Sequence, residues 1–338
     1  MSVDMKKWFG SMLSVREHGH DDYFGVLDGW RGLSILFVLA THLLPLGPKA
    51  WRLNETAGPM GMALFFTLSG FLITHFLIHK PDVKKFIIRR FFRIIPIAWL
   101  YLLVSLPILG ASFEQVLPHF LFYANSPPMS FVVGTSHFWS LCVEVQFYVM
   151  IAVLFLFLKE RALLLMVFVC LAITLLRVYD GVYIAIHTYY RIDEILVGLI
   201  LALAYNGRLG QWLPNFLSWV NPYYILALFL ISCQPDSGFM NYFRPYFAAI
   251  LVGSTLYNPR PSWARLLNLK VLVYLATVSY ALYVIHPLLA HTWFGSGETL
   301  ERYAKRPLLF ILLFGLAHLS TFYYEKYWIS LAKRLTSK

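Results

Sequence analysis

What most constrains this chain is the recurrence of apolar runs long enough to cross ~30 Å of hydrocarbon. Ten such runs lie near 26–46, 59–79, 94–111, 137–158, 162–179, 190–205, 215–232, 239–257, 270–292 and 306–329. They predict an all-α, polytopic membrane protein with about ten transmembrane helices. Bulk composition agrees, since 59% of the 338 residues are apolar and 13% charged, whereas soluble domains run nearer one quarter charged. That balance excludes disorder and argues against a soluble fold.

Charge sets the expected sidedness. Twenty-eight Lys and Arg against 17 Asp and Glu give +11, which in a soluble protein would point to nucleic acid. In a membrane protein the same excess follows from inner loops that collect cations. With the N-terminus inside, the inner segments hold Lys6 and Lys7; Lys80, Lys84, Lys85, Arg89, Arg90 and Arg93; Lys159 and Arg161; Arg208; Arg260, Arg265 and Lys270; and Lys333, Arg334 and Lys338. The outer stretch 111–136 holds none, although Lys49, Arg52, Arg302, Lys305 and Arg306 also fall outside and weaken the bias. Both termini are therefore expected in the cytoplasm, and the chain in the cytoplasmic (inner) membrane.

Residues 1–23 are polar and read as an N-terminal tail rather than a cleaved leader. Residues 24–331 read as one transmembrane domain and 332–338 as a C-terminal tail. Within the domain, 113–123 is too short to span and predicts a re-entrant or interfacial helix. Cys142, Cys170 and Cys233 predict neither a disulfide framework nor zinc. His18, His20, Asp21 and Asp22, crowded in a polar tail, do not make a metal site, and none is expected.

Ionisable residues inside apolar runs cost several kcal/mol, so each needs a reason. Arg31 and His42 stand eleven apart in the first run, close to three helical turns, so both project from one face about 16 Å apart along the axis. A snorkelling arginine and a histidine bonded to a neighbouring helix would explain each alone; the shared stripe favours function. In the fourth run, His137 and Glu144 are seven apart and again share a face. Glu144 is either functional or half of a structural ion pair with Arg31 or Arg191. Cys142 points elsewhere and reads as packing.

Lesser signals remain open. Arg191, Asp193 and Glu194 begin the sixth run as a capped helix start would. Ser279, Tyr280, Tyr283 and His286 lie along the ninth, followed by Pro287, which predicts a kink. Glu325, among aromatics at 323–327, fits an interfacial belt. Lys84, Lys85, Arg89, Arg90 and Arg93 face lipid headgroups, an anionic cofactor, or serve only as a topology signal.

Taken in order, these segments resemble the acyltransferase-3 family of integral membrane acyltransferases, from about Leu27 to Tyr327. Arg31 and His42 match that family's Arg, ten residues, His hallmark, within Asp28-Gly29-Trp30-Arg31-Gly32, similar to D-G-x-R-G. Phe65 to Leu72 resembles F-F-x-L-S-G-F-L, with Ser69 as its serine, and Arg90 to Arg93 resembles R-x-x-R. Phe138-Trp139-Ser140-Leu141, with Glu144, Phe147 and Tyr148, resembles F-W-S-L-x-x-E-x-x-F-Y, and Ser279 to His286 resembles S-Y-x-L-Y-x-x-H. Val145 departs from a commonly acidic position. The chain also reaches Lys338 without the esterase-like domain some members carry, so it is expected to act alone or to hand its acyl group to a separate partner protein.

The resemblance implies transfer of an acyl group, most often acetyl from acetyl-CoA, to a hydroxyl of a surface polysaccharide or lipid-linked glycan. His42 is then the expected general base, its unperturbed pKa lying near working pH, or alternatively a covalent acyl carrier. Arg31 would hold the donor or stabilise the oxyanion, and Glu144 would orient His42 or pair with Arg31. Lys85, Arg89, Arg90 and Arg93, with Arg31, are the expected acyl-CoA ligands. Asp28, Ser69, Trp139, Ser140, Tyr148, Arg191, Tyr280 and His286 are supporting positions. Acyl-CoA, membrane lipid and a glycan are thus the expected partners, and nucleic acid is not. A proton-coupled transporter or glycan flippase is the rival reading, and a scaffold within a glycan-assembly complex a weaker one.

Overall fold

A computed structural model describes residues 25–337; the expected tail at 1–23 lies outside them. All regular structure among the described residues is helical. The first run forms α1 (Gly25–Leu43), and the next two form α2 (Leu53–His79) and α3 (Val83–Ile108), the latter opened by Asp82, whose carboxylate accepts from the Lys85 amide. A short α4 (Phe113–Phe120) stands where an interfacial or re-entrant helix was expected, and its start is fixed by a Ser112/Gln115 capping box. α5 (Trp139–Leu158) and α6 (Glu160–Tyr179) follow.

The later runs are less regular than their apolarity suggests. Residues 190–205 break at Ile192 into a single turn, Thr188–Arg191, and α7 (Asp193–Tyr205). The run near 215–232 is two helices, α8 (Trp212–Trp219) and α9 (Pro222–Cys233), bent by 93°. Pro222 causes the break: the residue before a proline avoids helical backbone, and Asn221 is extended at φ −82°, ψ 116°, with its side chain capping the Tyr223 amide. Residues 239–257 begin in 3-10 turns and settle into α10 (Arg244–Tyr257).

α11 (Lys270–Ala290) and α12 (Arg306–Leu319) complete the long elements, and a π turn, Ser320–Glu325, joins α12 to α13 (Lys326–Thr336). Residues 332–336 continue a helix packed along α3. Seven helices among the described residues are long and apolar enough to span a membrane, or eight if the bent pair is one span.

Two close approaches set the packing. A Cβ at Gly70 would lie 1.9 Å from the Ile195 carbonyl oxygen, so only glycine lets α2 rest on α7. A Cβ at Gly32 would lie 2.4 Å from the Leu272 carbonyl oxygen, so the glycine after Arg31 draws α1 onto α11. α1, α2 and α11 therefore form one packed layer, and His42 at the end of α1 meets His286 of α11.

Candidate active site

The chemistry-bearing residues of α1, α2, α5 and α11 form a seam with two ends. α2 and α5 run opposite to α1, whereas α11 runs parallel to it, with Leu272 against Gly32 and His286 beside His42. Arg31, early in α1, lies toward the same end as Ser69, past the middle of α2, and as Tyr148 and Tyr280, midway along α5 and α11. His42, ending α1, is level with His137 and His286.

At the first end, Glu144 is 5% exposed and accepts hydrogen bonds from the Ser69 hydroxyl at 2.5 Å and from the Tyr148 hydroxyl. Arg31 lies within electrostatic reach of Arg93, Asp28, Glu144 and Arg90. The Arg90 guanidinium sits 5.8 Å above the rings of both Phe86 and Tyr148, and Arg93 lies 6.0 Å from the Tyr280 ring. Tyr280 donates to the Ile94 carbonyl at 2.7 Å, which ties α11 to α3 beside these arginines.

A cavity of about 660 Å³ opens next to them, lined by Phe76, Lys80, Phe86, Arg89, Arg90, Arg93, Ile329, Ala332, Lys333 and Ser337. Arg89, Arg90 and Arg93 are there as the sequence suggested. Lys85, one turn before Arg89 on α3, is not among the lining residues. Lys80 and Lys333 do line it, although the sequence offered them only as topology signals. They are 253 positions apart, and only the docking of α13 on α3 unites them. Glu325, read as an interfacial residue, is 3% exposed and 3.6 Å from an Arg93 nitrogen, because the π turn swings it inward.

At the other end, His42 is exposed, and its Nδ1 lies 2.9 Å from the Val38 carbonyl. A carbonyl can only accept, so Nδ1 carries the hydrogen and Nε2 keeps its lone pair. The His42 ring lies 5.0 Å from that of His286, which is 5.7 Å from that of His137. His286 repeats the tautomer logic, because Pro287 has no N–H to give the Tyr283 carbonyl and the His286 Nδ1 lies 2.8 Å from that oxygen. Helical hydrogen bonding is thereby replaced rather than lost, and α11 continues past Pro287 to Ala290. The His286 Nε2 and both ring nitrogens of His137 are buried without a hydrogen-bond partner among the described residues.

The middle of the seam is tight. Tyr283 donates to the His137 carbonyl at 2.6 Å and contacts the Ser140 hydroxyl at 2.5 Å, and its ring stacks on Phe65. A void of about 10 Å³, room for about one water, lies among Ser34, Ile35, Val38, Met62, Phe65, Ser279 and Tyr283.

Two expectations change. Glu144 does not orient His42: seven residues share a helical face but span two turns, roughly 10 Å of rise, so His137 reaches the histidine end and Glu144 the arginine end. Nor is Arg191 the partner of Glu144. It pairs with Glu194 at 3.2 Å and lies 5.3 Å over the Trp139 ring. Glu194 also takes Arg244 at 2.9 Å, and Asp193 takes Arg177. These acids are fully buried rather than part of an exposed helix start.

A helical membrane protein with a seam of buried ionisable groups ending in a cationic cavity is a recognisable class, and the comparisons place it. A family profile described as an acyltransferase domain matches residues 24–325, and the chain belongs to this acyltransferase-3 family. Among curated proteins it is 27% identical over 321 residues to a provisionally named peptidoglycan O-acetyltransferase, YrhL, of Bacillus subtilis, covering 79% of this chain and 48% of that one. It is 25% identical over 313 residues to the O-acetyltransferase OatA of Staphylococcus aureus, covering 78% and 50%. The chain spans about half the length of the curated relatives it matches. No solved structure matches it.

Proposed function

We propose that the chain is a membrane O-acetyltransferase that moves acetyl from acetyl-CoA to a hydroxyl of a surface polysaccharide or lipid-linked glycan. One observation carries the reading: an exposed His42 with a free Nε2 ends a seam whose opposite end is a cavity walled by five cations. The names of the relatives support O-acetyl transfer, and the peptidoglycan in one of them supports a glycan acceptor.

Coenzyme A is a polyanion with a long, slim thioester arm. Its phosphates suit Arg89, Arg90, Arg93, Lys80 and Lys333, whose guanidinium and ammonium donors form charge-assisted bonds. The cavity end then faces the cytoplasm, as the cation count of the inner loops supports. The arm would thread past Arg31 toward His42, with Phe65 and Tyr283 yielding at the tight middle. His42 Nε2 takes the acceptor hydroxyl proton as its oxygen attacks the thioester carbonyl. Arg31 holds the donor on its path, the tetrahedral intermediate expels CoA thiolate, and the proton on His42 neutralises it.

Free CoA released from acetyl-CoA by purified protein in nanodiscs tests this, with His42→Ala and His42→Gln beside wild type. Loss of release in both variants, with folding retained, is expected. Undiminished turnover in either rejects His42 as base, and no release by wild type with candidate glycans present favours the transporter reading.

A further inference from the structure

Arg302, Lys305 and Arg306 break the charge bias of the chain. They lie between the end of α11 and the first residue of α12, at the histidine end of the bundle, where cations are otherwise sparse. Lys305 is accounted for: its ammonium donates to Glu301 at 2.5 Å, approaches the carbonyls of Trp293 and Ser296 at 3.4 Å, and sits 4.2 Å from the Trp293 ring.

Arg302 and Arg306 are not accounted for. Their guanidiniums stand 5.9 and 5.8 Å from the centre of the same Tyr303 ring. Arg306 is 8% exposed, yet its Nε and Nη1 meet no acceptor among the described residues, and neither does the Nε of Arg302. The nearby acid Glu301 is engaged by Lys305, and neither it nor Glu298 forms an ion pair with either arginine among the described residues. A guanidinium stripped of water and left without an acceptor is costly, and an anion between the two arginines would remove that cost.

Position narrows the anion. Arg306 is the first residue of a membrane span, and Trp293 and Tyr303 supply the aromatic rings typical of headgroup depth. Along the same helix, Leu308 and Ile311 are 55% and 72% exposed and offer an apolar wall for a chain. Phosphate attached to a lipid is the oxyanion found at that depth, and a bidentate guanidinium suits it.

We propose that Arg302 and Arg306 form a receptor for lipid-borne phosphate, and that its occupant is the diphosphate of a lipid-linked glycan acceptor. The occupant rests on the acyltransferase reading; the phosphate site does not. α11 ends four residues beyond His286, so a carrier held here keeps its glycan at the end of the seam where His42 lies.

The test uses the full chain in phosphatidylcholine nanodiscs, titrated with a polyprenyl diphosphate and read by native mass spectrometry. The Arg302→Gln/Arg306→Gln variant should bind it at least about tenfold more weakly than wild type, as loss of a charge-assisted pair implies, with Arg306→Lys in between. Equal binding by all three proteins, with matched melting temperatures, overturns the site. Phosphatidylglycerol is the competing arm: displacement only at large excess supports the glycan carrier, and displacement at equal concentration overturns that occupant in favour of a bulk headgroup. CoA release by wild type without acceptor, measured alongside, tests the acyltransferase reading separately, because carrier binding does not depend on it.

Discussion

The bundle holds two sets of ionisable groups within its apolar helices, and they are built on opposite terms. Around the start of α7 each acid has a cation: Asp193 holds Arg177, and Glu194 holds Arg191 and Arg244. Along the seam charges are not paired off in this way: Glu144 is bonded to hydroxyls rather than to a guanidinium, Arg31 lies in the field of two cations, Arg93 and Arg90, and two acids, Asp28 and Glu144, and His137 and His286 keep buried ring nitrogens without a hydrogen-bond partner among the described residues. Paired charges in a low-dielectric interior fix geometry: although Arg191 Nε, Glu194 Oε2 and both Nη atoms of Arg244 lack a hydrogen-bond partner among the described residues, each charge there is held by an opposite one. Free valences destabilise the bundle slightly and are what a reaction can use. In apolar surroundings, then, the pattern of pairing rather than the presence of charge separates structure from chemistry.

The sharpest break of that contrast is to remove one partner from each set. Arg177→Met strands the Asp193 carboxylate in a site that is 0% exposed and should cost about 3–5 kcal/mol of stability, seen as a large drop in melting temperature or in yield of folded protein. His42→Ala strands nothing, because its only bond is to a backbone carbonyl; it should change stability by under ~1 kcal/mol while lowering turnover about 10²–10⁴-fold. If His42→Ala unfolds the protein as readily as Arg177→Met does, the seam is structural after all.

Next in size is the arginine end. Arg90 bridges the Phe86 and Tyr148 rings and lines the cavity, so Arg90→Gln should raise the KM for acetyl-CoA about tenfold, one charge-assisted contact, with a smaller change in kcat. Glu325→Gln should act more weakly in the same direction by loosening Arg93. Steady-state kinetics at fixed acceptor check both, and a kcat effect larger than the KM effect would move these residues from donor binding to the chemical step.

How much of this was legible in the sequence depends on which force fixed each part. The long helices were, since hydrocarbon selects uninterrupted apolar runs, and α1 and α2 fall where those runs lie; α3 begins at Val83, eleven residues before its run at 94–111, because its first turns carry the basic residues that an apolar count passes over. The 93° break was not read, although Asn221-Pro222 is a local stop signal, because the apolar count on either side masked it. Arg31 and His42 were found from spacing along one helix, a property the chain carries locally. Of the two hydroxyls bonded to Glu144, that of Tyr148 lies one turn on along α5 and shares its face, but that of Ser69 comes from α2, and no spacing along α5 points to it. The roles of Asp193 and Glu194 were missed for the same reason: a capped helix start and a buried ion-pair network look alike until Arg177 and Arg244 are brought in by packing.

The smallest expected effect discriminates most finely, because it compares two lysines, one expected from the sequence as a donor ligand and the other only as a topology signal. Lys85 belongs to the basic run that resembles a donor site, yet the wall of the cavity is made by Arg89, Arg90 and Arg93 on its own helix and by Lys333 from α13. Each lysine is a flexible point charge, worth less than a guanidinium fork. Lys333→Gln should therefore raise the KM for acetyl-CoA by only about threefold, under 1 kcal/mol, and Lys85→Gln should leave it within error. The difference should shrink in high salt, since a charge at the mouth of an open cavity is screened. A larger effect from Lys85 than from Lys333 would mean that the donor's phosphates lie on the outer face of α3, and that the cavity beneath α13 is not their site.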